Sequence, residues 1–252
     1  MKLDFTKLVL IPSGGSGGFS SDFDVSAKDF LRYAKEDLHS GGDRATINAL
    51  SNAKRAIDCQ IDEVFHSLGL DFQNLPKALE PFVSFYKFKN DLPYKLKIIQ
   101  SLNLAPAFIV SKARSIRNKL EHFYKIPSLN EVEESIDIAD LFIRCIDGKL
   151  KIPTNEFYIS DEHNRIKNDY YGIKKGYSVD ISLRNKTIEI REIQDEKWGE
   201  EVSVTKDDSE FYALVRIMNS MDDDYEVLDS FKLLAHLIQY PTPIKHIQVQ
   251  QH

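Results

Sequence analysis

Val179-Asp180-Ile181-Ser182-Leu183-Arg184-Asn185-Lys186-Thr187-Ile188-Glu189-Ile190 is the stretch on which the fold turns. Val179, Ile181 and Leu183 alternate with polar residues, Arg184-Asn185-Lys186 supplies a turn, and Ile188 and Ile190 alternate beyond it. Alternation places every second side chain on one face of a strand, so two such runs about a polar turn predict a β-hairpin. Val202 and Val204 suggest another strand. Residues 209–221 and 225–240 follow with amphipathic helical spacing, the second ending at Pro241. The Gln-rich end, 246–252, reads as a frayed tail.

Upstream of Pro153 the apolar period is helical. Ser26 can cap a helix with Ala27, Phe30, Leu31, Ala34 and Leu38 on its inner face, broken by Gly41-Gly42. Asp43 can cap a longer one whose buried side holds Ile47, Leu50, Ile57, Ile61, Val64, Phe65 and Leu68, with Gly69 as its stop. Residues 75–102 read as two shorter helices parted by Asp91 and Pro93. Pro106 suits the first turn of a helix running to about Tyr124. Ser128-Leu129-Asn130-Glu131 is a capping box for a helix that buries Val132, Ile136, Ala139, Phe142 and Ile146 and ends near Gly148.

Before all of these, Leu3, Phe5 and Leu8–Ile11 suggest a short buried strand, closed by Pro12 and a run of Gly and Ser to residue 18. That run lacks the Gly-Lys-Ser/Thr of a phosphate loop and reads as a hinge. The expectation is a mainly α protein. A strand and Gly/Ser-rich lead (1–24) precedes an α-helical bundle domain (25–150), and a smaller α+β domain with the β-hairpin and two helices (151–252) follows.

Composition narrows the function. Apolar residues are 42% and charged residues 29%, an ordinary globular balance. No window approaches the roughly 18–20 apolar residues that span a membrane, and the N-terminal apolar run is too short for a signal peptide, so the expected location is the cytoplasm. Cys59 and Cys145 sit in apolar helical patterns and read as reduced core residues, too few for a zinc ribbon. His163, with Asp161, Glu162 and Asn164, reads as a loop, since adjacent side chains diverge. Trp198, in a polar stretch, is a candidate partner contact or, equally, a side chain folded back on its own sheet. The net charge of −6 opposes nonspecific binding of nucleic acid, but it is unevenly spread. Residues 1–150 are neutral overall, and all of the excess lies in 151–252. Within the first part, residues 84–125 carry nine basic side chains against Asp91 and Glu121, enough for a neutral domain to hold a polyanion. Lys87, Lys89, Lys95, Lys97 and Lys112 belong to that segment, with Tyr86, Phe88 and Tyr94 interleaved as candidate stacking surfaces.

The predicted helix over 105–124 concentrates the chemistry. Ala113, Ile116, Leu120 and Phe123 give it a core face, while Arg114, Asn118 and His122 form a polar stripe at spacing i, i+4, i+8. Arg117 lies beside Asn118, and five residues separate it from His122, roughly 140° around an ideal helix. The two side chains flank a patch that long arginine reach could bring onto one phosphate. A helical ion pair of Arg117 with Glu121 is the structural alternative. On the preceding helix, Arg55, Asp58 and Asp62 form a second polar stripe, read as a local ion network or as a carboxylate that orients Arg117.

Arg117-Asn118-Lys119-Leu120-Glu121-His122 resembles the Arg-x4–6-His signature of HEPN-domain ribonucleases, in a matching setting late in a helical bundle with a further amphipathic helix after it. The resemblance covers about residues 25–148 and leaves 151–252 unassigned. It implies a HEPN-like bundle and an endoribonuclease that needs neither metal nor other cofactor. The RNA 2′-hydroxyl would attack the adjacent phosphate, leaving a 2′,3′-cyclic phosphate and a 5′-hydroxyl. His122 would move the proton, and Arg117 would neutralise the developing phosphorane charge. Asn118 would hold either side chain or donate to phosphate. Arg114, Lys112, Lys119, Lys87 and Lys89 would bind RNA. The resemblance also implies a homodimer whose two motifs converge, of the toxin or antiviral-defence kind, with an antitoxin or sensor partner acting through the second domain. The alternative is a non-catalytic HEPN-like dimer that binds RNA or protein as an adaptor.

Overall fold

The computed structural model describes residues 3–15, 22–88, 92–106, 125–150, 155–166 and 168–251. Strand β1 (Leu8–Gly14) leads into helices α1 (Ala27–Ser40), α2 (Asp43–Ser67), α3 (Leu79–Ser84), α4 (Tyr94–Ser101) and α5 (Leu129–Leu150). Strands β2 (Glu156–Asp161), β3 (Lys175–Ser182), β4 (Thr187–Gln194) and β5 (Lys197–Thr205) follow, then helices α6 (Ser209–Asn219) and α7 (Asp224–Leu237) and strand β6 (Val249–Gln251).

The fold is α+β, which corrects the expectation of a mainly α protein. Among the described residues, seven α-helices accompany one six-stranded mixed sheet in the order β5-β4-β3-β2-β1-β6. The predicted hairpin is present as β3–β4, with Val179 opposite Ile190 and Ile181 opposite Ile188. It supplies two of the six strands of that sheet. β1 pairs antiparallel with β2, Leu10 facing Ile159, and parallel with β6, Leu8 facing Val249. The lead is therefore a sheet strand flanked by chain from beyond residue 155. Pro12, expected to end it, lies within it, next to a register shift between Pro12 and Gly14. Proline donates no hydrogen bond, and a bulge is one of the few places where a sheet accepts it.

The terminal segment is also not frayed. The Leu8 amide donates to the Gln248 carbonyl, the Gln248 amide to Phe5, and the Gln251 side-chain amide to the Met221 carbonyl. Ile247 is buried beneath this edge.

Alternation in the strands sorts the two faces. Leu8, Leu10, Phe157, Ile159, Val179, Ile181 and Ile188 point into the main core, which continues through α1, α2 and α5 and through α6 and α7 as one contiguous apolar cluster. Val9, Ile11 and Ile193 point the other way, where Ile173 and Tyr158 cover them. The expected boundary near residue 151 falls in a stretch outside the described residues, and buried side chains from both sides of it share that main cluster.

The helices begin and end where local chemistry dictates. Ser26 caps α1, its hydroxyl accepting from the Asp29 amide while the Asp29 carboxylate accepts from the Ser26 amide. Ser128 and Glu131 do the same for α5. Gly41 and Gly42 separate α1 from α2 with φ of 70° and 86°, a region costly for residues with a Cβ. Asp43 is the first residue of α2 and Gly42 occupies the cap without a side-chain bond, so the expected aspartate cap is displaced by one position. No helix among the described residues is long and apolar enough to cross a membrane.

Candidate functional site

Arg117, Asn118, His122, Arg114, Lys112, Lys119 and Lys89 lie outside the described residues, as does the predicted helix beyond Pro106. What is described is the chain that delivers this segment. Helix α4 ends at Ser101, and Asn103 reverses the backbone with φ 56°. Asparagine tolerates the left-handed region better than most residues because its short amide can bond locally. Here the Asn103 side-chain amide donates to the Ser220 hydroxyl at 3.0 Å. The buried Asn219 donates to the Leu102 carbonyl at 2.9 Å. Leu104 and Ala105 are buried immediately before Pro106. The entry to the motif segment is thus fastened to the C-terminal end of α6.

Arg216 completes the fastening. Its side chain is 5% exposed, yet it carries a permanent charge. One terminal nitrogen donates to the Ser101 carbonyl at 2.7 Å; the other donates to Glu226 at 2.7 Å and to Asp229 at 3.1 Å. The guanidinium carbon lies 4.7 Å from the centre of the Tyr86 ring. A buried charge is tolerable when carboxylates and carbonyls replace its water, and every part of that replacement is present except at Nε, which is buried without a hydrogen-bond partner. Burial, above all, pushes the Tyr86 phenol well above its ordinary range, so it stays protonated.

Beside Arg216 a cavity of about 690 Å³ opens between the 102–106 loop, the last turns of α5, and helices α6 and α7. Leu104, Ala105, Pro106 and Phe88 form its apolar part. Lys87, Arg144 and Lys149 bring cations to it, and Asp222, Glu226 and Asp229 bring carboxylates. Most of these charges are matched within the protein. Arg144 is bonded to Asp140 through two nitrogens, at 2.7 and 3.2 Å. Lys149 donates to the Asn219 carbonyl at 2.7 Å and to Asp222 at 3.1 Å.

The remaining candidates are dispersed. Of the expected RNA-binding residues, Lys87 is the described one; it is exposed and on the cavity. Lys95 is bound to Asp62 at 2.6 Å and lies 4.4 Å from the Phe72 ring centre, so it serves packing on α2. Tyr86 and Phe88 pack against the core. Asp58 pairs with Lys54, Arg55 donates to Asn52, and Asp62 is taken by Lys95, so the Arg55–Asp58–Asp62 stripe is not one network. His163 lies in a one-turn helix whose first amides are capped by Asp161, as a loop reading implies. Trp198 is 57% exposed on the edge strand β5, with Arg191 beside its ring. Burial, with Glu63 beside it, raises the Cys59 thiol to about 12, so it is no nucleophile at neutral pH. No group of three metal-ligating side chains occurs among the described residues.

Arg216 was missed in the sequence because the 209–221 pattern reads simply as an amphipathic helix. Its signal was nonetheless present: a single charge inside the apolar run Phe211–Met218 needs buried partners, and Glu226 and Asp229 lie one turn apart on the next helix.

Comparison with protein-family models, with curated proteins and with solved structures returned no match.

Proposed function

We propose that the protein is a metal-independent endoribonuclease of the HEPN type, cutting RNA by attack of a 2′-hydroxyl on the adjacent phosphate. The observation that carries the reading is the run Arg117-Asn118-Lys119-Leu120-Glu121-His122 in a basic stretch between two helices. Arg117 neutralises the phosphate, His122 transfers the proton, and Asn118 orients them. Arg114, Lys112, Lys119, Lys87 and Lys89 hold the strand. Two features of the described residues support it. Helices α1, α2 and α5 pack on one another around a shared apolar seam, the surroundings such a motif has in its family. The entry to the motif segment is clamped by Asn103, Asn219 and Arg216, and catalysis by positioning requires a fixed approach.

In-line cleavage benefits from groups on both sides of the phosphate, so the active form is a homodimer with two copies of His122. The acidic C-terminal part, repelled by RNA, is the place for a regulator such as an antitoxin or sensor. A toxin or antiviral-defence effector in the cytoplasm fits this arrangement.

The test is incubation of the full chain with total RNA in EDTA beside His122→Ala and Arg117→Ala variants. Cleavage in chelator, with 2′,3′-cyclic phosphate ends and its loss in both variants, is the expected result. Equal cleavage by wild type and both variants would defeat the assignment. RNA binding without cleavage by the wild type would leave the adaptor reading in its place.

A further inference from the structure

The sheet has two edges, and they differ in what they offer. β6 is three residues long and β5 is nine. In an antiparallel pair, alternate residues point their amides and carbonyls away from the neighbouring strand. β5 therefore carries a row of backbone donors and acceptors that β4 does not use, and no described strand pairs with that side. Its residues from Lys197 to Ser203 are all exposed. We propose that β5 is the docking edge for an extended, cationic segment of a partner protein, which adds a strand to the sheet and sets its lysines or arginines against Asp195, Glu196 and Glu200.

Charge chooses the occupant. Residues 195–201 hold four carboxylates against Lys197. Glu201 is taken by Arg191, whereas Asp195, Glu196 and Glu200 are exposed and form no ion pair among the described residues. A second copy of the chain would bring the same acidic row against itself, and RNA would be repelled, so a cationic peptide is the complementary strand. The turn before β5 points the same way. Asp195 and Glu196 have φ of 51° and 63°, a conformation that asparagine and glycine adopt at lower cost, so the backbone alone does not account for two carboxylates there. Charge by itself would only protect an edge from pairing. Trp198 and Val202, 57% and 56% exposed, add apolar area for which protection has no use. They stand on opposite faces. Trp198 shares one with Arg191, 5.4 Å from its ring centre, and Val202 lies opposite Ile190, which packs on the main core. The side chains of an added strand alternate between the same two faces, so each meets one apolar contact. The inference stands on this edge alone and does not require the nuclease reading.

The experiment uses calorimetry on the full chain with four peptides. The parent is Thr-Lys-Val-Lys-Val-Arg-Val-Lys-Thr, and an acidic counterpart carries Glu at each Lys and Arg. Two further copies of the parent are N-methylated, one at the odd and one at the even positions. The expected result is saturable binding of the parent at one site per chain, with a change in the fluorescence of Trp198, the single tryptophan. The acidic peptide should bind at least about tenfold more weakly. Of the two methylated peptides, one should match the parent and the other should bind at least about tenfold more weakly, because only alternate amides of an added strand face β5. Glu196→Lys with Glu200→Lys should weaken the parent by about tenfold or more and leave the thermal melt almost unchanged, since both side chains face solvent. No saturable binding up to about 1 mM, equal affinity for the acidic peptide, equal binding of the two methylated peptides, or equal affinity in the double variant overturns the proposal. A dimer of the chain alone that Val202→Lys dissolves would give the edge to a second copy and also overturn it. Peptide binding by His122→Ala at wild-type affinity, whether or not that variant cuts RNA, separates this edge from the nuclease motif.

Discussion

Arg216 on α6 donates to the backbone carbonyl of Ser101 at the end of α4 across 2.7 Å, joining residues 115 positions apart in the chain. Glu226 and Asp229 hold the other side of the same guanidinium. Through it the C-terminal helices grip the chain just before the motif segment. Replacing Arg216 by Met removes the charge but leaves Glu226, Asp229 and the carbonyl without their donor. Unfolding free energy should fall by about 3 kcal/mol, the cost of breaking rather than replacing a buried ion pair. Urea denaturation at neutral pH measures it. A loss below 1 kcal/mol would mean that the surrounding packing, not this contact, fastens the two parts.

Gly176 is the second residue of β3 and has no room for a side chain. An added Cβ would lie 2.5 Å from the Ile159 carbonyl oxygen on β2 and 2.9 Å from Ile173 Cδ1. The first is backbone in a paired strand and cannot move alone. Gly176→Ala should therefore destabilise by about 2–3 kcal/mol, against the slight gain alanine brings at an open position. Thermal melting decides between them, and an unchanged midpoint would contradict the close approach of β2 and β3.

Asp140 on α5 is held below the ordinary carboxylate value of 3.8, first by its hydrogen bonds to Arg144 and then by Lys35 of α1. A depressed folded pKa contributes stability that is present above 3.8 and is lost as pH falls through the lower folded value. Asp140→Asn should lower the melting temperature at pH 7 and flatten its fall below pH 4. Melting curves of both proteins from pH 2 to 7 test this; parallel curves over the whole range would show that Asp140 is not part of the acid transition.

The strand at the end of the chain offers a test by hydrogen exchange. Because Val249–Gln251 lies in register on β1 and Phe5 stacks on Tyr240 at 4.0 Å, the amides joining the two segments are locked. The Leu8 and Gln248 amides, donors to Gln248 and Phe5, should exchange on the slow timescale of the sheet. Exchange as fast as in an unstructured peptide would return this segment to a frayed tail. Deletion of residues 248–252 should expose the β1 edge and lower the midpoint of unfolding by several degrees, about 1 kcal/mol or more.

Periodicity and capping by themselves determined a great deal of this protein. The helices from Ala27 to Ser67, the capping boxes at Ser26 and Ser128, the hairpin from Val179 to Ile190 and the glycine breaks at 41–42 and 69 were all legible, because each depends on residues within one or two turns of one another. The Arg117–His122 motif was legible for the same reason, as a spacing on one predicted helix. The sheet was not. β2 is six residues long with only Phe157 and Ile159 as its alternating apolar pair, and β6 shows only Val249 in a run of glutamines. Each becomes a strand because β1 offers it hydrogen bonds and a covered face, and β1 is more than 140 residues away from either. The Arg216 fastening and its cavity belong to the same class of fact. A local pattern reports how a segment distributes polarity about its own axis; only the closure of long loops decides which distant donors and acceptors share the interior.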